Sequence, residues 1–242
     1  MCNDYKRPTL GHRGSPGEGR QIGPLGFCQN TNLKDEWSWG GWDVVKWKVL
    51  PGWLGGDKDL LKHYKNAWVI SHSSTIKEQA AINNISPVLL AGVCWIEVGG
   101  DPDWIDGIAY SIRAFDHMAD PLLEPLTVTK KPELTSFGDV SIQLRRAAEA
   151  ANLDIAKLNT EQKNELIECL SDEDVNIAFV ARHLSQLKNV DKVCFVEDEE
   201  IRILGTRYNR GPHLSLEQIK NNTSYGDFIL KIKTNLQGLL EK

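Results

Sequence analysis

Apolar residues gather most densely between Ser86 and Gly100, in the run Ser-Pro-Val-Leu-Leu-Ala-Gly-Val-Cys-Trp-Ile-Glu-Val-Gly-Gly. Val88 to Ile96 carry no charge on any face, and a helix that is apolar all round is a buried one. Ser86 is suited to cap it, Pro87 to occupy its first position, and Gly99 with Gly100 to stop it. The run predicts a buried helix that closes on a single carboxylate, Glu97.

Elsewhere the pattern is amphipathic. From Asp57 on, Leu60, Leu61, Tyr64 and Trp68 share a helical face, and Thr75 with Glu78 has capping-box spacing ahead of a short helix through Ile82. Beyond Glu97 come Trp104 to Met118, a Pro- and Thr-rich connection from Pro121 to Glu133, and a helix over Ile142 to Ala151. Ser171 to Asp174 opens a helix with acidic residues at its positive end, and Ile177, Val180, Ala181, Leu184 and Leu187 line its inner face. Helices over Glu197 to Tyr208 and Tyr225 to Leu240 complete the series, with short strands expected near the N-terminus and around Ser136 to Ser141.

Residues 1–56 follow no helical period and are rich in Gly and Pro. Trp37, Trp39, Trp42, Trp47 and Trp53 crowd this segment, and the alternation at Val45, Trp47 and Val49 suits short strands. Such rings either stack on sugars or a partner, or pack the segment onto the main domain. The predicted fold class is mainly α: a helical domain over 57–242 behind a Trp-rich segment of loop and strand over 1–56.

Composition narrows the function. A chain of 242 residues can bury a full core. Its net charge of -5 argues against sequence-independent nucleic-acid binding, which needs a basic surface. The Ser86–Val98 run is too short to span a bilayer, and no apolar signal core follows Met1, so a cytoplasmic start is expected. Cys2, Cys28, Cys94, Cys169 and Cys194 are odd in number and show no metal-type pairing, so neither a zinc site nor a complete disulfide framework is indicated. A Cys2–Cys28 bridge would suit work outside the cell. The six histidines, His12, His63, His72, His117, His183 and His213, include no ligand-type pair and read as surface or capping residues. No metal or other cofactor is expected.

Glu97 is the leading candidate for chemistry. In the last turn of a buried helix, the carbonyl end of the dipole disfavours its negative charge and Trp95 and Ile96 withhold water, so its pKa is expected above the usual value of about 4.3. A carboxylic acid held protonated in this way can donate to a glycosidic oxygen. The plainer alternative is a Glu whose side chain escapes to solvent at a frayed helix end.

The order of motifs beyond Glu97 is more specific. Ser136-Phe-Gly-Asp-Val-Ser-Ile-Gln143 comes next, then Asn176-Ile177 leading to His183-Leu184, then Gly205-Thr-Arg-Tyr-Asn-Arg-Gly211. This succession, over roughly Pro87 to Gly211, resembles the lysozyme-like superfamily, in particular lytic transglycosylases and goose-type lysozymes. The resemblance implies a lysozyme-like helical fold with Glu97 as general acid/base. It further implies Gln143 on the sugar acetamido group, Tyr208 and Asn209 at the cleft, and Ser136 hydrogen-bonded to Glu97. The chain departs from the family pattern at Val98, where the family has Ser, and at Ile142, where it has Met. The loop holds one Gly where two are common, and about forty residues separate it from Glu97.

The resemblance therefore implies a peptidoglycan-cleaving glycosidase, a muramidase or lytic transglycosylase. If the sugar's own 6-hydroxyl attacks, one Glu suffices; if water attacks, a second carboxylate should hold it. Asp139 is the first candidate, then Asp101 and Asp103, each of which can equally be a turn residue. Without a leader, such an enzyme is expected to reach the periplasm or wall by a secretion apparatus, as an antibacterial effector, or during phage lysis. A protective immunity protein is then an expected partner besides glycan strands. The rival readings are a non-catalytic wall-binding or structural protein, and an amidase or peptidase with Cys94 as nucleophile.

Overall fold

In the computed structural model, residues 46, 51–54, 59–99, 136–137, 140–191 and 195–242 are described. They are mainly helical. The Trp-rich segment, save Lys46, Pro51 and a 3₁₀ turn at Gly52–Leu54, and the Trp104–Met118 and Pro121–Glu133 stretches lie outside them.

The predicted apolar helix is α3, Pro87–Glu97, preceded by α1, Leu60–Ser71, and α2, Ser73–Ile82. Ser86 caps α3 by accepting from the Leu89 N–H at 3.4 Å, and Pro87 stands at its start. Every residue from Val88 to Trp95 is buried, which is why an uncharged sequence is stable there. Gly99 turns the chain away with φ +67°, a backbone conformation that favours glycine.

A hairpin pairs β1, Ser136–Phe137, with β2, Ile142–Gln143, in antiparallel register that sets Ser136 opposite Gln143. The helix expected from Ile142 therefore starts later, as α4, Leu144–Ala150. Asn176, fully buried, ties this hairpin down: its side chain accepts from the Val140 N–H and donates to the Leu170 carbonyl, both at 3.2 Å.

Two helices were not legible as such: α5, Thr160–Leu170, with a capping box between Asn159 and Gln162, and α8, Leu216–Lys220. Between them lie α6, Glu173–Lys188, capped by Asp172 through the Val175 N–H at 2.9 Å, and α7, Glu197–Arg210. The five inner-face residues predicted for α6 are all buried. The single C-terminal helix expected from Tyr225 is two, α9, Ser224–Lys231, and α10, Lys233–Leu240.

Thr75 and Glu78 do not form a capping box. The helix begins earlier, after His72, and the Thr75 hydroxyl donates to Asp174 at 2.8 Å. His72 is buried, stacked on Trp68 and 2.8 Å from Glu173, whose other oxygen accepts from the Trp68 indole. These contacts fix the α1–α2 corner against the start of α6 and override the local signal.

The core gathers around α3, which packs against α1, α2, α6, α7, α9 and α10. Its start is fixed by Glu200 of α7, which accepts from the Ser86 N–H at 3.2 Å and is itself paired with Lys188 at 3.0 Å. Among the described residues, no helix is long and apolar enough to cross a membrane.

Candidate functional site

Glu97 ends α3 half-buried, so its carboxyl is neither sealed in the core nor released to solvent. Its Oε1 accepts a hydrogen bond from the Tyr225 hydroxyl at 2.9 Å. Tyr225 reaches it because α9 lies unusually close to both α3 and α7. A Cβ on Gly92 of α3 would collide with the Ile229 side chain, and one on Gly226 would collide with the Arg202 backbone of α7. Glycine at both positions removes the obstacle, and Tyr225 is delivered to the end of α3.

Tyr208 of α7 completes an aromatic row. Its ring centroid is 6.3 Å from that of Tyr225 and 6.0 Å from the His183 imidazole, which it meets edge-on. Burial pushes the pKa of both phenols well above 10, and the charge of Glu97 pushes them further. Both rings are therefore neutral donors at physiological pH. His183 is buried, and burial, with the Arg146 charge adding to it, lowers its pKa to about 4. It too is neutral near pH 7. His183 is thus a core residue rather than the surface or capping histidine expected, whereas His72, also buried, stands at the N-cap position of α2, though its side chain makes no cap hydrogen bond.

The last turn of α3 is gripped from α1. Lys65, buried, donates to the Trp95 carbonyl at 2.9 Å and to the Ile96 carbonyl at 2.7 Å. The next residue, Asn66, accepts from the Trp95 indole at 2.8 Å. Helix ends leave their final carbonyls without intrahelical partners, and here a cation meets them, as the negative end of the helix dipole favours.

Cys94 sits one turn before Val98 and is wholly buried. Burial, and then the Glu97 charge, drives its pKa far up, so the thiolate that a cysteine nucleophile needs is disfavoured. Cys169, by contrast, is disulfide-bonded, while Cys94 is free, so the cysteines include a bridge without making the complete framework that their odd number argued against.

The structure brings Glu97 and Tyr208 into one cluster, with Asn209 exposed beside Tyr208. Gln143 is half-buried on β2, opposite Ser136. The Ser136 side chain, Asp139, Asp101 and Asp103 lie outside the described residues. Two members escaped sequence reasoning. For Tyr225 the signal was the Gly226 next to it, since a glycine inside a helical pattern marks a close approach. For Lys65 there was none, because a lysine on an otherwise apolar face reads as an interruption. Among the described residues, no group of three or more His, Cys, Asp or Glu side chains is placed to hold a metal ion. No family model, curated protein or solved structure matches the chain.

Proposed function

We propose that this protein is a peptidoglycan-cleaving glycosidase, a muramidase or lytic transglycosylase, acting on the bond between N-acetylmuramic acid and N-acetylglucosamine. The observation that carries the reading is the half-buried Glu97 at the end of the apolar α3, held by the Tyr225 phenol and flanked by Tyr208. The succession of motifs from Glu97 through Gln143 to Tyr208 and Asn209 supports it. In this mechanism Glu97 protonates the leaving oxygen as oxocarbenium character develops at the sugar. Tyr225 keeps the carboxyl aimed without adding a positive charge.

Gln143, Ser136, Tyr208 and Asn209 are proposed to line the sugar cleft. The second step decides between the two activities. Attack by the sugar's 6-hydroxyl gives an anhydro end and uses Glu97 again as base; attack by water gives a reducing end and recruits Asp139. The substrate places the activity in the periplasm or wall, and the disulfide at Cys169 accords with such an oxidising compartment. An inhibitor that plugs the cleft is the partner this activity would demand of a producer cell.

Mass spectrometry of muropeptides released from purified sacculi tests the reading. The wild-type protein should release products that Glu97→Gln does not, and their end groups identify the route. With anhydro products Asp139→Asn should be mild, and with reducing ends it should be severe. Wall binding without any release would replace the enzyme by a wall-binding protein.

A further inference from the structure

We propose that Lys65 is a positioning residue for Glu97, gripping the carbonyls of the two residues before the acid and so setting where its carboxyl stands and how readily it ionises. The inference rests on the reading of Glu97 as the acid, and its geometry stands apart from that reading.

Three features of the last turn of α3 require something of this kind. Val98 leaves the helix in an extended conformation, with φ -65° and ψ 139°, rather than through a left-handed cap, and its N–H returns only to the Cys94 carbonyl at 2.8 Å. Among the described residues, the Lys65 amino group is the donor to the carbonyls of Trp95 and Ile96, at 2.9 and 2.7 Å. Peptide planes 95 and 96 immediately precede the Glu97 Cα, so fixing them fixes the direction in which its side chain leaves the helix. Trp95 is held as well, by Asn66 on its indole and by the Lys65 amino group 5.4 Å from its ring centroid.

Stability alone does not account for a lysine here. Its side chain is 7% exposed, and a buried ammonium is costly where an aliphatic chain of the same length would fill the space. Burial lowers the pKa of Lys65 to about 7, while the charge of Glu97 draws it back up. Among the described residues, Glu97 on α3 is the group whose charge bears on this amine. From α10, the neutral Asn235 donates to Asn66, the residue next to Lys65, at 3.5 Å. The two side chains are thus electrostatically linked, and such linkage is reciprocal. A cation beside Glu97 favours its carboxylate, and removing that cation should raise the carboxyl's midpoint.

The test uses the full-length protein with ¹³C-labelled Glu and Lys side chains, the Glu97 signal being assigned by its loss in Glu97→Gln. In Lys65→Met the Glu97 midpoint should move up by about one pH unit. In Glu97→Gln the Lys65 midpoint should move down, and this arm needs no change at Lys65. On peptidoglycan, Lys65→Met should lower kcat about tenfold with KM within about twofold, because the acid is misaimed rather than the substrate released. Lys65→Arg, which can still donate to both carbonyls, should restore most of kcat. Unmoved midpoints in both arms would overturn the proposal, as would wild-type kcat in a folded Lys65→Met. If the wild-type protein turns over no peptidoglycan but the midpoints move as stated, Lys65 still positions and tunes Glu97, and the glycosidase reading is what fails.

Discussion

Arg207 and Tyr208 are neighbours on α7, and the clusters they enter are built on different principles. Arg207 is fully buried; its Nε donates to Asp191 Oδ2 at 2.7 Å, its Nη2 to the other carboxylate oxygen, and its Nη1 to the Leu214 carbonyl at 3.1 Å. Both Asp191 oxygens are taken by one planar cation, which also ties the chain before α7 to the turn after it. Tyr208 faces the Glu97 cluster, where a half-buried carboxyl is held by a phenol and the cation nearby is bonded to backbone rather than to the acid. The first arrangement holds a carboxylate in a closed clamp. The second holds a carboxyl that stays within reach of solvent, as the proposed proton donor would require.

The comparison separates what each cluster should cost when broken. Glu97→Gln should reduce release of muropeptides by about 10²–10⁴-fold, the usual worth of general acid catalysis, while leaving thermal unfolding close to wild type. A folded variant with full activity would remove Glu97 from the mechanism and leave the two clusters alike as structural devices.

Arg207→Met should do the reverse. Removing one partner of a buried ion pair leaves the Asp191 charge uncompensated and costs about 3–5 kcal/mol, readable as a lowered urea midpoint. The double change Arg207→Met with Asp191→Leu should recover much of that loss, because no buried charge remains. A single variant as stable as wild type would show that the clamp is not closed in solution.

Lys65 sits between these cases, being buried like Arg207 but without a carboxylate clamped to it. Its pKa falls from the ordinary 10.5 unfolded to about 7 folded. Between those values the unfolded chain holds a proton that the folded one has released, so stability from this group rises with pH across the window and is lowest below about pH 7. The slope is on the order of 1 kcal/mol per pH unit. Urea titrations from pH 6 to 10 should show this rise in wild type and its absence in Lys65→Met; parallel profiles would mean that the ammonium is hydrated.

How much of this was legible in the sequence depends on the range of the interactions. The caps of α3 and α6 are local: Ser86 and Pro87 do what their positions predict, and Asp172, within the predicted Ser171–Asp174 opening, supplies the cap of α6. The box at Asn159 and Gln162 is equally local, and it opens α5 with no long-range contact needed. Thr75 failed as a cap because His72 and Thr75 are bound to Glu173 and Asp174, contacts about a hundred positions away. No Gly or Pro marks the break at Ile232; both α9 and α10 pack on α3, and one straight helix does not replace them. Of the site, Glu97 was readable because its own helix announces it. Tyr225, 128 positions further on, was not, since its role depends on a crossing of helices that only the fold creates.

That crossing supplies the mildest test. Tyr225→Phe keeps the ring against Tyr208 and the packing around Gly226, and deletes only the hydroxyl that donates to Glu97. A hydrogen bond to an ionisable partner is worth about 1.5–3 kcal/mol in place, but water can replace part of it at a half-buried carboxyl. The expected loss in kcat/KM is therefore about tenfold, with unfolding within about 1 kcal/mol of wild type. Removing the donor also disfavours the charged form of Glu97, so the alkaline limb of the pH–rate profile should move to higher pH, in the same direction as in Lys65→Met. If Tyr225→Phe instead lowers stability and leaves kcat/KM and the limb in place, the phenol belongs with Arg207 as a structural tie, and the Glu97 cluster loses the feature that most distinguishes it.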